Sequence, residues 1–505
     1  MNNLISLRNL IKKLTSEEMK ILTRIAQSTS KSNLKNENKT LLLVQLLLVE
    51  PNLNSSEIQK NIYSSSNYAA FNKLCSRLRE KILDSILLES SIDQGGYSKR
   101  NKIVFELKKK LIQADILNLK GLREQADSIC KKVISISNDY EIYDLTIQSL
   151  ITREKFVRLR KNQKEVIKVV SEIKITNLKF ESFRMCQSDF NSIMNKIATA
   201  GNEMSYFDEL KNTISHLQQE YNLYASKSTG YYLQLLKTQM FQNEKKYIKA
   251  DISLDTALSM LKSKSVYSDN RMGSVLLSKS ENYIKLHKFE ESLSLSNRSI
   301  EFFPNNIFNQ ALVHECKFYA NYFGGEFDKS RDSLTYLCSL PKENNILISI
   351  NKWNYLASAL LFIEKKYSQC IEQLKQISEI DKDKEGWNVN IRILMIMCRI
   401  EIGDTDSVDL NVSNLEKFVK RISKKGIIPT RYKVILRVLV ALSNESFNFK
   451  KVKLKKQKYL ELLNTRDLEL SWEIKGPELI PFNIWFENKC NPSGGPLYNQ
   501  IISSI

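Results

Sequence analysis

Residues 276–304 read Leu276-Leu-Ser-Lys-Ser-Glu-Asn-Tyr-Ile-Lys-Leu-His-Lys-Phe-Glu-Glu-Ser-Leu-Ser-Leu-Ser-Asn-Arg-Ser-Ile-Glu-Phe-Phe-Pro304. Leu276, Ser280 and Tyr283 recur at helical spacing and share one face. His287-Lys288 makes a turn, and Phe289, Ser292, Leu293, Ser299 and Ile300 line a return helix that closes at Pro304. Small residues let two helix backbones approach where they cross, and aromatic rings fill the space beside the crossing. Proline at the end stops the second helix without removing an internal hydrogen bond. The stretch therefore reads as one antiparallel helix pair.

The pattern repeats. An aromatic residue is followed three positions later by a small one at Tyr247/Ala250, Phe289/Ser292, Phe327/Ser330 and Tyr367/Cys370. The steps between aromatics are 42, 38 and 40 residues (289−247, 327−289, 367−327). A period near 40 belongs to stacked helix pairs rather than to one globular core. Prolines agree: of eight, none lies between Pro51 and Pro304, so long helices run unbroken there. The expected fold class is all-α, a superhelical solenoid of stacked antiparallel helix pairs with an N-terminal helical module. Residues 1–92 form that module, with Thr15 and Glu18 as a capping box and a last helix over Tyr68 to Leu88. Residues 103–465 carry the repeats, after a linker over Ser90 to Arg100 that contains Gly95-Gly96. Residues 466–505 form an irregular tail rich in Pro, Gly and aromatics, expected to cap the last helices.

The residues Leu276, Ser280, Tyr283, Phe289, Ser292, Ser299 and Pro304 resemble a tetratricopeptide repeat, with Ser280 and Ser296 standing where that family usually has a glycine and a second aromatic. Leu122-Arg-Glu-Gln-Ala126 is a further match, whereas residues 140–230 match poorly. The resemblance implies a helical solenoid with a groove that takes a peptide or a partner helix. The phrase Leu10-Ile-Lys-Lys-Leu-Thr-Ser-Glu-Glu-Met19 resembles the start of a group of uncharacterised bacterial helical-repeat proteins, which implies the same layout and no known activity.

Composition narrows the function classes. The start of the chain meets Lys12, Lys13, Glu17 and Glu18 before any secretory apolar core. The most apolar run, Leu41 to Val49, has nine residues, against the roughly 20 that span a bilayer. The eight cysteines are scattered without a Cys-x-x-Cys pair, which fits a reducing compartment and a cytoplasmic location. With three histidines, His216, His287 and His314, there is no zinc-type cluster, and no glycine-rich phosphate loop is present. No catalytic residue, metal or cofactor is expected.

Charge is the remaining signal. The chain has 76 basic and 56 acidic residues, a net +20. Between Lys420 and Lys458 there are 13 Lys/Arg and one acidic residue, Glu445, a local +12 (13−1). Arg431, Lys433 and Arg437, followed by Lys450, Lys451, Lys453, Lys455, Lys456 and Lys458, form a candidate patch for an anionic partner. A second basic helix carries Lys73, Arg77, Arg79 and Lys81. With the shorter helix from Ser55 it resembles the helix-turn-helix of a winged-helix DNA-binding domain, although Glu80, Asp84 and Glu89 offset the charge and no wing follows. The expected function is a non-enzymatic scaffold or adaptor whose groove binds an acidic protein or peptide partner. The alternative is a nucleic-acid-binding regulator that uses the N-terminal helices or the basic repeats.

Overall fold

The computed structural model describes residues 2–28, 39–49, 53–63, 67–88, 98–199, 206–340, 344–380, 383, 386–423, 429–465, 470–492 and 495–504. Among the described residues every regular element is a helix. By compactness the chain divides into Met1–Gln113 and Ala114–Ile505. The Gly95-Gly96 linker and most of the polar stretch from Ser28 to Lys39 lie outside the described residues.

The first unit holds α1 (Asn2–Lys13), α2 (Ser16–Ser28), α3 (Lys39–Val49), α4 (Ser55–Tyr63), α5 (Tyr68–Leu88) and the start of α6 (Lys99–Leu119). The capping box forms as the sequence requires. The Thr15 amide donates to Glu18 at 2.7 Å, and the Glu18 amide donates to Thr15 Oγ1 at 3.2 Å. Asn54 and Glu57 repeat that exchange at the start of α4. The core joins Leu7 and Ile11 of α1, Leu22 of α2, Leu43 of α3, Ile58 of α4, and Phe71, Leu78 and Ile82 of α5.

The second unit takes in the end of α6 and then α7 (Arg123–Asp139), α8 (Tyr143–Leu159), α9 (Gln163–Thr199), α10 (Phe207–Tyr224), α11 (Lys227–Asn243) and α12 (Tyr247–Met260). Next come α13 (Asp269–Lys285), α14 (Phe289–Ile300), α15 (Ile307–Phe323), α16 (Phe327–Ser339), α17 (Asn344–Ile363) and α18 (Tyr367–Lys375). The series closes with α19 (Trp387–Ile402), α20 (Thr405–Ser423), α21 (Thr430–Asn444), α22 (Phe449–Lys455), α23 (Gln457–Leu463), α24 (Phe482–Cys490) and α25 (Leu497–Ser504).

The four aromatics that set the period are the first residues of α12, α14, α16 and α18. Their small partners Ala250, Ser292, Ser330 and Cys370 are fully buried. Two residues before each aromatic the backbone turns left-handed, at Lys245, His287, Gly325 and Lys365. The next amide closes the preceding helix with a bond to the carbonyl five residues back: Lys246 N to Phe241 O, Lys288 N to Tyr283 O, Glu326 N to Asn321 O and Lys366 N to Leu361 O, at 2.8–2.9 Å. The same left-handed turn recurs at Gly121, Glu141, Lys161 and Gly403, so one local device makes these eight hairpins.

At the decisive pair, Ser280 explains the departure from the tetratricopeptide pattern. Its hydroxyl lies 2.7 Å from Ser292 O, 2.8 Å from both Ser292 Oγ and Ser296 Oγ, and 3.1 Å from Cys316 Sγ. A closed set of buried hydroxyls replaces the glycine and aromatic, with every polar group partnered. Close approach is also enforced at Gly273, where a Cβ would stand 2.5 Å from the Phe303 ring.

The poorly matching stretch is explained by α9. At 37 residues it is too long for one repeat and serves two cores. Its first half buries Val166 and Val169 against Leu150 and Val157 of α8. Its second half buries Cys186 and Ile193 with Leu210 and Leu217 of α10. Glu141, in the turn after α7, then caps a helix 86 positions on: its carboxylate accepts from the Lys227 amide at 2.7 Å and the Ser228 amide at 3.1 Å.

Candidate functional site

The inner helices of the pairs from α11 to α21 present the face where the sequence places a partner. The chain's own tail lies there. Trp472-Glu-Ile-Lys-Gly-Pro-Glu478 alternates charge and meets alternating charge. Glu473 pairs with Lys245 at 2.5 Å and Lys285 at 3.2 Å. Lys475 pairs with Glu281 of α13. Glu478 pairs with Arg431 of α21 at 2.6 Å. Burial raises the Glu473 carboxyl, but the two lysines outweigh it and hold the group below its ordinary range. Burial also disfavours the charged Lys475, yet the facing Glu281 carboxylate leaves it above the ordinary range.

Aromatic and backbone contacts run along the same path. Trp472 packs edge-on against Phe323 of α15. Tyr355 of α17 donates to Pro477 O at 2.7 Å, and Trp485 donates to Glu401 of α19 at 2.7 Å. Tyr498 reaches back to the Tyr322 and Phe323 carbonyls, each at 3.1 Å. Phe482, Trp485 and Phe486 are fully buried in the same core as α13–α23. The tail, expected as an irregular cap on the last helices, packs on α21 and α22 through Glu478, Trp485 and Phe486, runs back along the earlier helices as well, and forms two helices of its own, α24 and α25.

Arg431 is the clearest correction among the candidate site residues. It is buried, not part of a surface patch. Nε and Nη2 hold the Glu478 carboxylate at 2.6 and 2.9 Å. Nη1 donates to Leu463 O at 3.1 Å and Leu470 O at 2.7 Å, and Nη2 donates to Asn483 Oδ1 at 2.8 Å. All five guanidinium donors are used, so nothing remains for a partner.

The rest of the patch lies on α21–α23. Lys433, Arg437, Lys450, Lys451, Lys453, Lys455 and Lys458 are exposed, and Lys456 is half-buried. Lys451 and Lys455 both hold Glu445, at 2.6 and 2.5 Å, which keeps that carboxyl below its ordinary range. Lys453 pairs with Glu487 at 2.5 Å. Arg437 and Lys456 stand over the Tyr459 ring. Arg437, Lys455 and Lys456 flank a cleft of about 390 Å³ between α21 and α22. The local +12, which already subtracts Glu445, is thus thinned further by two residues paired to acids from outside the segment, Arg431 with Glu478 and Lys453 with Glu487.

In the first unit Lys73, Arg77 and Arg79 are exposed on α5 and Lys81 is half-buried. α5 packs on α1, α2 and α3, whereas α4 packs on α3. Tyr63 of α4 donates to the Ala70 carbonyl of α5 at 3.1 Å, and no strand that would make a wing occurs among the described residues.

Chemistry-bearing groups are largely sequestered. Seven of the eight cysteines are buried and Cys338 is exposed. Burial pushes the Cys75, Cys130 and Cys186 thiols up to about 11. Among the described residues no group of three or more His, Cys, Asp or Glu could hold a metal ion. Among them, too, no helix is long and apolar enough to cross a membrane.

One surface was not singled out from sequence. On α9, Ile167 (61% exposed), Val170 (41%), Leu178 (43%) and Met185 (54%) lie on one face, with Ile175 beside them. The spacing was legible, but an apolar stripe ordinarily means core; only packing shows that neither end of α9 uses this one.

No family model matches the chain, and no curated protein matches it. Among solved structures it is similar to the TPR domain of P58(IPK), at 10% identity, over 79% of this chain and 97% of that one, with a TM-score of 0.21. At that score the helix-pair architecture rests on this chain's own turn register.

Proposed function

We propose that this chain is a non-enzymatic interaction scaffold that holds a protein partner on the open face of α9. The observation that carries the reading is the row of four solvated apolar side chains on one helix face, Ile167, Val170, Leu178 and Met185. Large solvated apolar groups in a row cost hydration free energy that a partner recovers, about 25 cal/mol per Å² covered. The tail supports the same reading, because Trp472, Phe482, Trp485 and Phe486 occupy apolar surface of the helices from α15 to α22 that a partner would otherwise meet.

The test is photo-crosslinking from a benzophenone side chain placed at Ile167 or Leu178, with Glu290 on α14 as the exposed control. Protein adducts from the α9 positions and none from the control are expected. Adducts only from the control position, or none from α9, overturn the proposal.

Nucleic-acid binding through α21–α23 is the second reading, favoured by the exposed Lys450 and Lys458 beside the Arg437–Lys455 cleft. It requires retention on a DNA or RNA column that falls steeply with salt and is lost in a Lys450→Gln/Lys456→Gln/Lys458→Gln variant. Retention unchanged by those substitutions removes it.

A further inference from the structure

We propose that the partner on α9 is a second copy of this chain, joined through an antiparallel α9–α9 contact about a twofold axis between Asn177 and Leu178. This rests on the preceding reading that the open α9 face is the docking surface. Positions 167, 170, 174, 178, 181 and 185 follow one another at steps of three and four, so they form a single stripe along the helix. Four are the exposed apolar residues; the other two are Lys174 and Glu181, both exposed and in the middle of the stripe.

These two charges decide the occupant. They are seven residues apart, roughly 10 Å along the axis, too far to pair with each other. Among the described residues neither makes an ion pair within the chain. In an antiparallel pair about the stated axis, residues whose numbers sum to 355 face each other. Lys174 then meets Glu181 of the second copy, and Glu181 meets its Lys174. Val170 meets Met185 of the second copy, and the two Leu178 side chains adjoin at the axis. The other charges of this stretch fall opposite uncharged residues: Lys168 opposite Gln187, Glu172 opposite Phe183, Lys179 opposite Thr176 and Arg184 opposite Ser171. No like charges are opposed. A parallel pair would set Lys174 against Lys174. The face is therefore complementary to itself in one orientation, which is the requirement for a twofold interface.

The experiment is sedimentation velocity of the full chain up to about 100 µM, a range that populates complexes with micromolar Kd. A dimer is expected. Lys174→Glu and Glu181→Lys each oppose like charges and should weaken it about tenfold or more. Mixing the two variants restores opposite charges at both contacts, so the equimolar mixture should dimerise where neither variant does. That rescue also shows that both variants fold. Leu178→Asp should leave a monomer. A wild-type chain that stays monomeric, or a dimer indifferent to all three substitutions, overturns the proposal. If the chain is monomeric but the Leu178 crosslinker captures a different protein, the scaffold reading stands and the self-pairing fails. If neither a dimer nor an adduct forms, both fail.

Discussion

Replacing Arg431 with methionine should release the tail. The guanidinium is enclosed, with 6% of its side chain exposed, and so is its partner Glu478 at 6%. Methionine fills much of the volume but supplies no donor. Glu478 keeps the Phe482 amide at 2.7 Å as its remaining partner, and the Leu463 and Leu470 carbonyls lose their shared donor. Breaking a buried pair by removing one member costs about 3–5 kcal/mol, because a desolvated charge is left behind. Helix-pair arrays need not unfold in one step, so a global midpoint is the wrong readout. Hydrogen exchange resolved along the chain is the right one. At about 1.4 kcal/mol per tenfold, residues 470–490 should exchange roughly two to four powers of ten faster, while α7–α10 are unchanged. Arg431→Lys should open the same segment, since an ammonium cannot span the carboxylate and three carbonyls in one plane. Arg431→Met with Glu478→Leu should recover part of the loss. Exchange at 470–490 within threefold of wild type in Arg431→Met would refute the idea that this pair latches the tail.

Three other outcomes follow from the packing. His314 is stacked on Tyr336 at 3.8 Å, and burial together with the nearby Lys317 lowers it from 6.5 to about 4. Its contribution is therefore fully present above pH 6.5 and lost as pH falls toward 4; His314→Phe should flatten the stability profile in that window, read by denaturation between pH 4 and 7. Glu141→Ala should cost about 1–2 kcal/mol by uncapping α11, seen as faster exchange at Lys227 and Ser228. Ser280→Ala should cost about 1–3 kcal/mol, because Ser292 and Ser296 lose the hydroxyl they share, measured as a shift in thermal denaturation.

The hairpins were legible in the sequence because they are local. An aromatic at the start of the second helix, a small residue three positions later and a left-handed turn two positions earlier all lie within six residues. The capping box at Thr15 and Glu18 and the helix over 68–88 were readable for the same reason. By contrast, α9 broke the period because its length lets it serve two cores, and no short-range signal marks a helix that changes its buried face midway.

The candidate surfaces divide the same way. Arg431 looks like its neighbours Lys433 and Arg437 in sequence, and only the return of Glu478 from 47 positions away makes it internal. Glu473 and Lys475 likewise find Lys245, Lys285 and Glu281 roughly 190 to 230 positions back. The sequence by itself determined that this chain is a run of antiparallel helix pairs, since turn chemistry and helical spacing act over a few residues. Which charges are spent inside, which apolar surface the tail covers and which apolar stripe is left in water were decided by the tertiary structure, because burial and electrostatic pairing depend on residues that meet only after the chain has folded back on itself.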